Sequence, residues 1–239
     1  MKKLLQISFL FIFTFAALTT FAQKKISNGK VQFEITELEG DSPQLAMLKG
    51  TLINMAFLGG QQKMDLAVMG GLMRVQTIMD AKNPKNPTIL MDMMGQKIHI
   101  TDAGEEFADK MGAGMMSQGE GETPNLKITY DKKDKKTIAG YKCIKANVQG
   151  ENGPPIQMYV TKKIKPENSQ FQEMFKDLEG FPMEIMIKTQ GIGVTIAAKE
   201  VKNTIDAANF DVPNGYTKMT MQEFSEQMGG MTQFIEQSR

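Results

Sequence analysis

The chain has 239 residues, with 28 basic and 27 acidic side chains, one histidine, one cysteine and no tryptophan. So balanced a charge offers nothing to draw nucleic acid or an anionic membrane over long range, and a lone cysteine forms no internal disulfide. Methionine is the unusual residue, at 21. Its unbranched, polarisable side chain fills irregular gaps and suits adaptable binding surfaces.

In chain order, Lys2 and Lys3 precede an apolar run from Leu4 to about Leu18, and Thr20-Phe21-Ala22 follows. This is the charge, apolar and small-residue pattern of a secretory signal peptide cleaved after Ala22. The apolar run is shorter than the roughly 20 residues a membrane span needs. No cysteine follows for lipid attachment, so the pattern predicts a soluble chain in the periplasm or outside the cell, with no stable membrane insertion after cleavage.

The dominant period beyond this is two. Lys30 to Ile35 alternates polar and apolar residues as a half-buried strand does. Further strands are expected at 51–58, 63–69, 72–80, 87–94 and 96–101, then at 125–130, 137–148, 155–161, 182–189 and 193–202. Gly59-Gly60, Gly70-Gly71, the stretch from Asn83 to Pro87 and Met94-Gly95 mark turns. Such short connections require antiparallel neighbours. The lysine run from Lys132 to Lys136 reads as a solvated turn between strands.

Helical signals are few. A capping box at Ser169–Gln172 precedes Phe171, Met174, Phe175 and Leu178, which share one helical face, and Gly180 stops the run. Ser42-Pro43 opens a second short helix carrying Leu45 and Leu48. Thr220-Met221-Gln222-Glu223 is a capping box for a C-terminal one. Residues 102–123 are rich in Gly and Glu and read as a flexible insertion with scattered methionines. The expectation is a mainly β (α+β) fold: residues 23–239 form one domain with a large curved antiparallel sheet, a half-barrel of about 11 strands. Two or three short helices cover its concave face. A closed barrel is the competing architecture.

Catalytic signatures are missing. There is no Gly-rich phosphate loop after a strand, no nucleophile elbow and no paired-histidine zinc motif. His99 and Cys143 lie far apart in sequence, and Cys143 reads as a small strand residue. No cofactor is implied. Soft thioethers do select Cu(I), and Met91 and Met93 sit close to His99. A turn centred on Met94-Gly95 tests that grouping: Met91 then faces Ile98, Asp92 faces Lys97 and Leu90 faces His99. Ile89, Met91, Met93, Ile98 and Ile100 share one apolar face, and His99 projects from the other.

The segments from Thr88 to Ile100, Lys136 to Val148, Met158 to Ile164, Gly180 to Ile185 and Asn209 to Met219 together resemble an exported Gram-negative family. It is the domain of unknown function numbered four-four-one-two. That family is similar in layout to the periplasmic lipoprotein-carrier (LolA-like) superfamily, in which helices lie against the concave side of a curved half-barrel. The resemblance implies an apolar cavity for lipid or acylated cargo, and it makes Gly140, Pro213 and Gly215 turn and bend positions. It supplies no functional residues. The reading is a periplasmic, non-catalytic binding or carrier protein whose ligand is lined by Met91, Met93, Ile98 and Ile100 with Phe171, Met174, Phe175 and Leu178. The alternatives are an envelope structural or protein-interaction domain with a filled core, and a Cu(I) binder using Met91 and Met93.

Overall fold

A computed structural model describes residues 25–40, 46, 48–84, 86–104, 126–150, 154–167, 177–189 and 191–227. The expected signal peptide, the helical face from Phe171 to Phe175 and nearly all of the 102–123 insertion lie outside these residues. So does most of the helix expected after Ser42-Pro43.

Twelve strands form one mixed sheet. They are β1 (Gly29–Glu39), β2 (Leu52–Leu58), β3 (Gln61–Val68), β4 (Met73–Asp80), β5 (Thr88–Met93), β6 (Gln96–Ile100), β7 (Lys127–Ile138), β8 (Tyr141–Gln149), β9 (Ile156–Thr161), β10 (Phe181–Thr189), β11 (Ile192–Lys202) and β12 (Thr217–Met219). The order β12-β6-β5-β4-β3-β2-β1-β11-β10-β9-β8-β7 joins two meanders through the β1–β11 pair and leaves an open, curved sheet. One helix, α1 (residues 221–227), stands among the described residues, beside short 3-10 turns.

Two expectations need correction. The stretch 137–148 is not one strand: Ala139 and Gly140, at φ 45° and 84°, make a tight turn between β7 and β8. Two successive positive-φ residues are what a two-residue hairpin demands. The lysine run is not a turn between strands. It lies inside β7, where the register jumps from Asp131 to Lys135 and the intervening residues bulge outward. The Asp131 carboxylate accepts the amides of Lys133 and Asp134 at 2.9 and 3.3 Å, which closes that bulge locally. The expected large curved antiparallel sheet is present, with one short parallel addition where β12 pairs with β6.

The two meanders differ in regularity. From β1 to β6 every ladder runs without a shift. The other half is interrupted between Gln32 and Phe33, between Ile35 and Glu37, between Pro182 and Glu184, and in β7. Bulges bend a strand and raise its twist, so this half coils. One end is also pinned. Ile26 donates its amide to the Lys163 carbonyl and accepts from the Lys165 amide, both at 2.9 Å. This Ile26–Ile164 bridge ties the start of β1 to the end of β9 across β11 and β10.

Beneath the pin lies the main core, with Val31, Phe33, Phe57, Cys143, Phe181 and Met183 almost fully buried. The Phe181 ring centroid sits 6.2 Å from that of Phe33 and 6.3 Å from that of Phe57. Over the same half, Lys136 Nζ donates to the buried Glu184 carboxylate at 2.6 and 2.7 Å. Lys136 also lies over the Tyr159 ring, and Tyr159 donates to Asp134 at 2.9 Å. A buried carboxylate without a cationic partner would be costly, so this network holds β7 over β10.

Two outcomes are expected. A Cβ on Gly29 would lie 2.2 Å from the Lys202 carbonyl oxygen, so Gly29→Ala should lower unfolding stability by about 2 kcal/mol in denaturant titration. Burial pushes the Cys143 thiol from its ordinary 9.0 up to about 11. The folded chain therefore keeps a proton there that the unfolded chain releases, and this contribution to stability falls as pH rises through 9 to 11. At pH 8 a thiol reagent should label unfolded protein far faster than folded protein.

Candidate apolar binding face

Because β1–β6 keep strict register, their side chains sort cleanly onto two faces. One cross-strand row runs Phe33–Ile53–Leu66–Val75–Met91–Ile98. A second runs Val31–Met55–Met64–Thr77–Ile89–Ile100. A shorter third runs Val68–Met73–Met93–Gln96. None of these rows contains a charged residue.

This face is closed at both ends and thinner in the middle. Towards β1 it merges with the pinned core through Phe33 and Ile53. Towards β6, Ile89, Ile98, Ile100 and Ala103 are buried, and Met91, Met93, Met219, Met221 and Phe224 pack against them. Met55, Met64 and Leu66 are half-buried and pack against the first cluster, and between the two clusters Val68, Met73 and Val75 are only half-buried.

Helix α1 is docked by local chemistry. The Thr220 hydroxyl accepts the Glu223 amide at 3.1 Å, and the Glu223 carboxylate accepts the Thr220 amide at 2.7 Å. This is the reciprocal cap that the sequence announces. The Asp102 carboxylate accepts the Met221 amide at 2.6 Å, and Thr101 donates its amide to the Met219 carbonyl at 3.0 Å. Together they tie α1 to the end of β6, with Met221 and Phe224 against the sheet.

The opposite face of this half is polar and covered by residues 203–216. Phe210, Ile205 and Tyr216 pack on Ala56, Ile78 and Leu90. Arg74 donates to the Asp65 carboxylate, and Lys63 Nζ donates to the Asn209 carbonyl at 3.1 Å. Lys97 lies over the Tyr216 ring.

The expected residues fall as follows. The β5–β6 hairpin has the anticipated register, with Met91 opposite Ile98, Asp92 opposite Lys97 and Leu90 opposite His99. Met91, Met93, Ile98 and Ile100 are together on the apolar face, and His99 projects from the other side. Leu178 is half-buried but packs against a separate cluster around Met158, Val160 and Ile185. Phe171, Met174 and Phe175 lie outside the described residues. Sequence reading missed Met55, Met64, Leu66, Met73 and Val75. Their signal was present, since carrying the hairpin parity back from β5 through β4 and β3 to β2 puts them in the same rows.

No protein-family model matches the chain and no curated protein matches it, so the family resemblance rests on the quoted segments. Among solved structures, the chain is similar to the lipoprotein LppX of Mycobacterium tuberculosis. The identity is 8%, the match covers 76% of this chain and 89% of that one, and the TM-score is 0.38. It is also similar to LprF of Mycobacterium bovis, at 13% identity, 82% and 93% coverage and a TM-score of 0.33. A Desulfovibrio piger protein of the DUF1329 family matches at 6% identity, 78% and 90% coverage and a TM-score of 0.35. Scores at this level transfer no function to the present chain.

His99 stands opposite Lys218 where β12 meets β6. Burial first, and the Lys218 charge second, lower its pKa below the ordinary 6.5. The folded chain thus binds the proton less readily than the unfolded one, so this contribution to stability is present above pH 6.5 and lost on acidification. Protection factors of the Lys218 and Met219 amides, which remove the intrinsic pH dependence of exchange, should fall on acidification below that value more steeply in the wild type than in His99→Gln.

Proposed function

We propose that this chain is an exported, non-catalytic binding or carrier protein for a neutral apolar ligand such as a lipid or acylated molecule, held on the uncharged face of β1–β6. The observation that carries the reading is the half-buried group Val68, Met73 and Val75 on one uncharged face, flanked by half-buried Met64 and Leu66 against one buried cluster and Met91 and Met93 against the other. Rows without a charged side chain offer nothing to an ionic headgroup there, but methionine adapts well to an acyl chain of uncertain shape. A catalytic role has little to build on. The Cys143 thiol is held protonated by burial, and His99 faces away from the methionine rows. Among the described residues no three His, Cys, Asp or Glu side chains group to hold a metal, and no helix is long and apolar enough to cross a membrane.

The pairing of Met73 with Met93, beside Met91, also brings thioethers together and keeps a Cu(I) reading in play. Native mass spectrometry of protein exported with its own leader, with metal analysis of the same sample, separates the readings. A carrier should show bound apolar mass. Met73→Gln with Met91→Gln should lose most of that mass at a stability cost of roughly 1 kcal/mol per site. Met91→Leu with Met93→Leu should retain it. Stoichiometric copper that disappears in the leucine variant would replace the lipid reading. Protein that is empty of both would favour an envelope interaction domain.

A further inference from the structure

Six large apolar side chains are exposed among the described residues: Leu52, Met69, Leu72, Met94, Ile192 and Val212. Antiparallel order puts the start of β2, the β3–β4 turn, the β5–β6 turn and the start of β11 at one end of the sheet. Five of the six therefore share that end, and only Val212 lies elsewhere. The two turns adjoin, since Met94 donates its amide to the Leu72 carbonyl at 2.9 Å.

Two of these residues are placed against local preference. Met69 and Met94 have φ of 53° and 54°, the left-handed region where Asn and Gly are favoured and an unbranched apolar residue gains nothing. Met94 is 87% exposed, so no packing inside the chain offsets the strain. The uncharged row Val68–Met73–Met93 ends directly beneath these tips. Of the charges near this rim, Arg74 pairs with Asp65 and Lys188 with Glu39, while opposite charges Asp92 and Lys97 face each other across β5 and β6.

We propose that this rim is a docking surface for the hydrocarbon boundary of a lipid bilayer. A protein partner of ordinary size would need a continuous patch of about 800 Å². Here Met69 and Leu72 share one turn, Met94 tops the adjoining one, and Leu52 and Ile192 stand at strand starts along the same end; a bilayer interface accepts such a set without shape complementarity. The charge matching suits a neutral lipid surface. The inference rests on the carrier reading only for its purpose: the rim would place the last row of the methionine face, Val68–Met73–Met93, where apolar cargo enters and leaves.

Flotation with phosphatidylcholine vesicles tests it. Wild-type protein should float with the vesicles. Met69→Asn combined with Met94→Asn should bind them roughly tenfold more weakly, yet melt no lower than wild type, because Asn tolerates the left-handed backbone. Val212→Asn should bind as wild type does. The chain has no tryptophan, so Met94→Trp gives a single reporter whose emission should shift to the blue on adding vesicles. Failure of the wild type to float, or equal flotation of the double asparagine variant, would overturn the proposal. So would self-association in ultracentrifugation that the double variant loses, which would make the partner a second copy of this chain. Ligand occupancy is read separately by native mass spectrometry. An empty protein that still floats removes the carrier reading and leaves the docking surface standing.

Discussion

The rest of the molecule depends on the uninterrupted register of β1 to β6. Five successive ladders without a shift mean that period-two alternation in six strands adds up to one uncharged face. A slip of one residue anywhere would turn every following apolar side chain to the covered polar side, against Arg74, Asp65 and Lys63. Each hairpin supports the next. The Met94-Gly95 turn sets β6 against β5, and β5 in turn sets Val75 and Met73 against Met91 and Met93.

The other half solves the opposite problem. A face this wide cannot stay bare, and a flat continuation of the sheet would leave it so. The bulges in β1, β10 and β7 bend the chain instead, until Phe181 lies against Phe33 and Phe57. The Ile26–Ile164 bridge then fixes that curvature at one end. Curvature and pin together bury the face near β1, and β12 with α1 bury it near β6. Among the described residues, what lies between is covered least, because both covering units come from the ends of the strand order.

How much of this was legible depends on whether the cause was local. The β5–β6 pairing could be read because a two-residue turn leaves one register, and that register alone separates His99 from Met91 and Met93. The Thr220–Glu223 cap could be read because both hydrogen bonds fall within four residues. The β7 bulge could not, because Lys132, Lys133 and Asp134 are polar whether they lie in a turn or loop out of a strand. Nor could β12: Thr217 to Met219 has no period of its own, and its parallel pairing is set by where residues 203–216 cross the opposite face. The middle of the apolar face was readable in principle, but only by carrying one hairpin's parity through three more strands.

Turn chemistry gives the molecule a direction. At the pinned end, Gly29 and Gly180 sit where a Cβ would collide with the Lys202 and Thr161 carbonyls, so backbone packing there dictates the residue. At the other end a Cβ at Gly70, Gly71 or Gly95 would meet open space, and the neighbouring left-handed positions hold methionine although asparagine would serve the turn better. Backbone packing thus dictates Gly29 and Gly180 at the pinned end, whereas Met69 and Met94 at the other present their side chains outward. An open sheet normally guards its exposed rim with polar residues. Here the guarded edge is β7, with its lysines and bulge, and the unguarded rim lies where the uncharged rows end at Val68, Met73 and Met93.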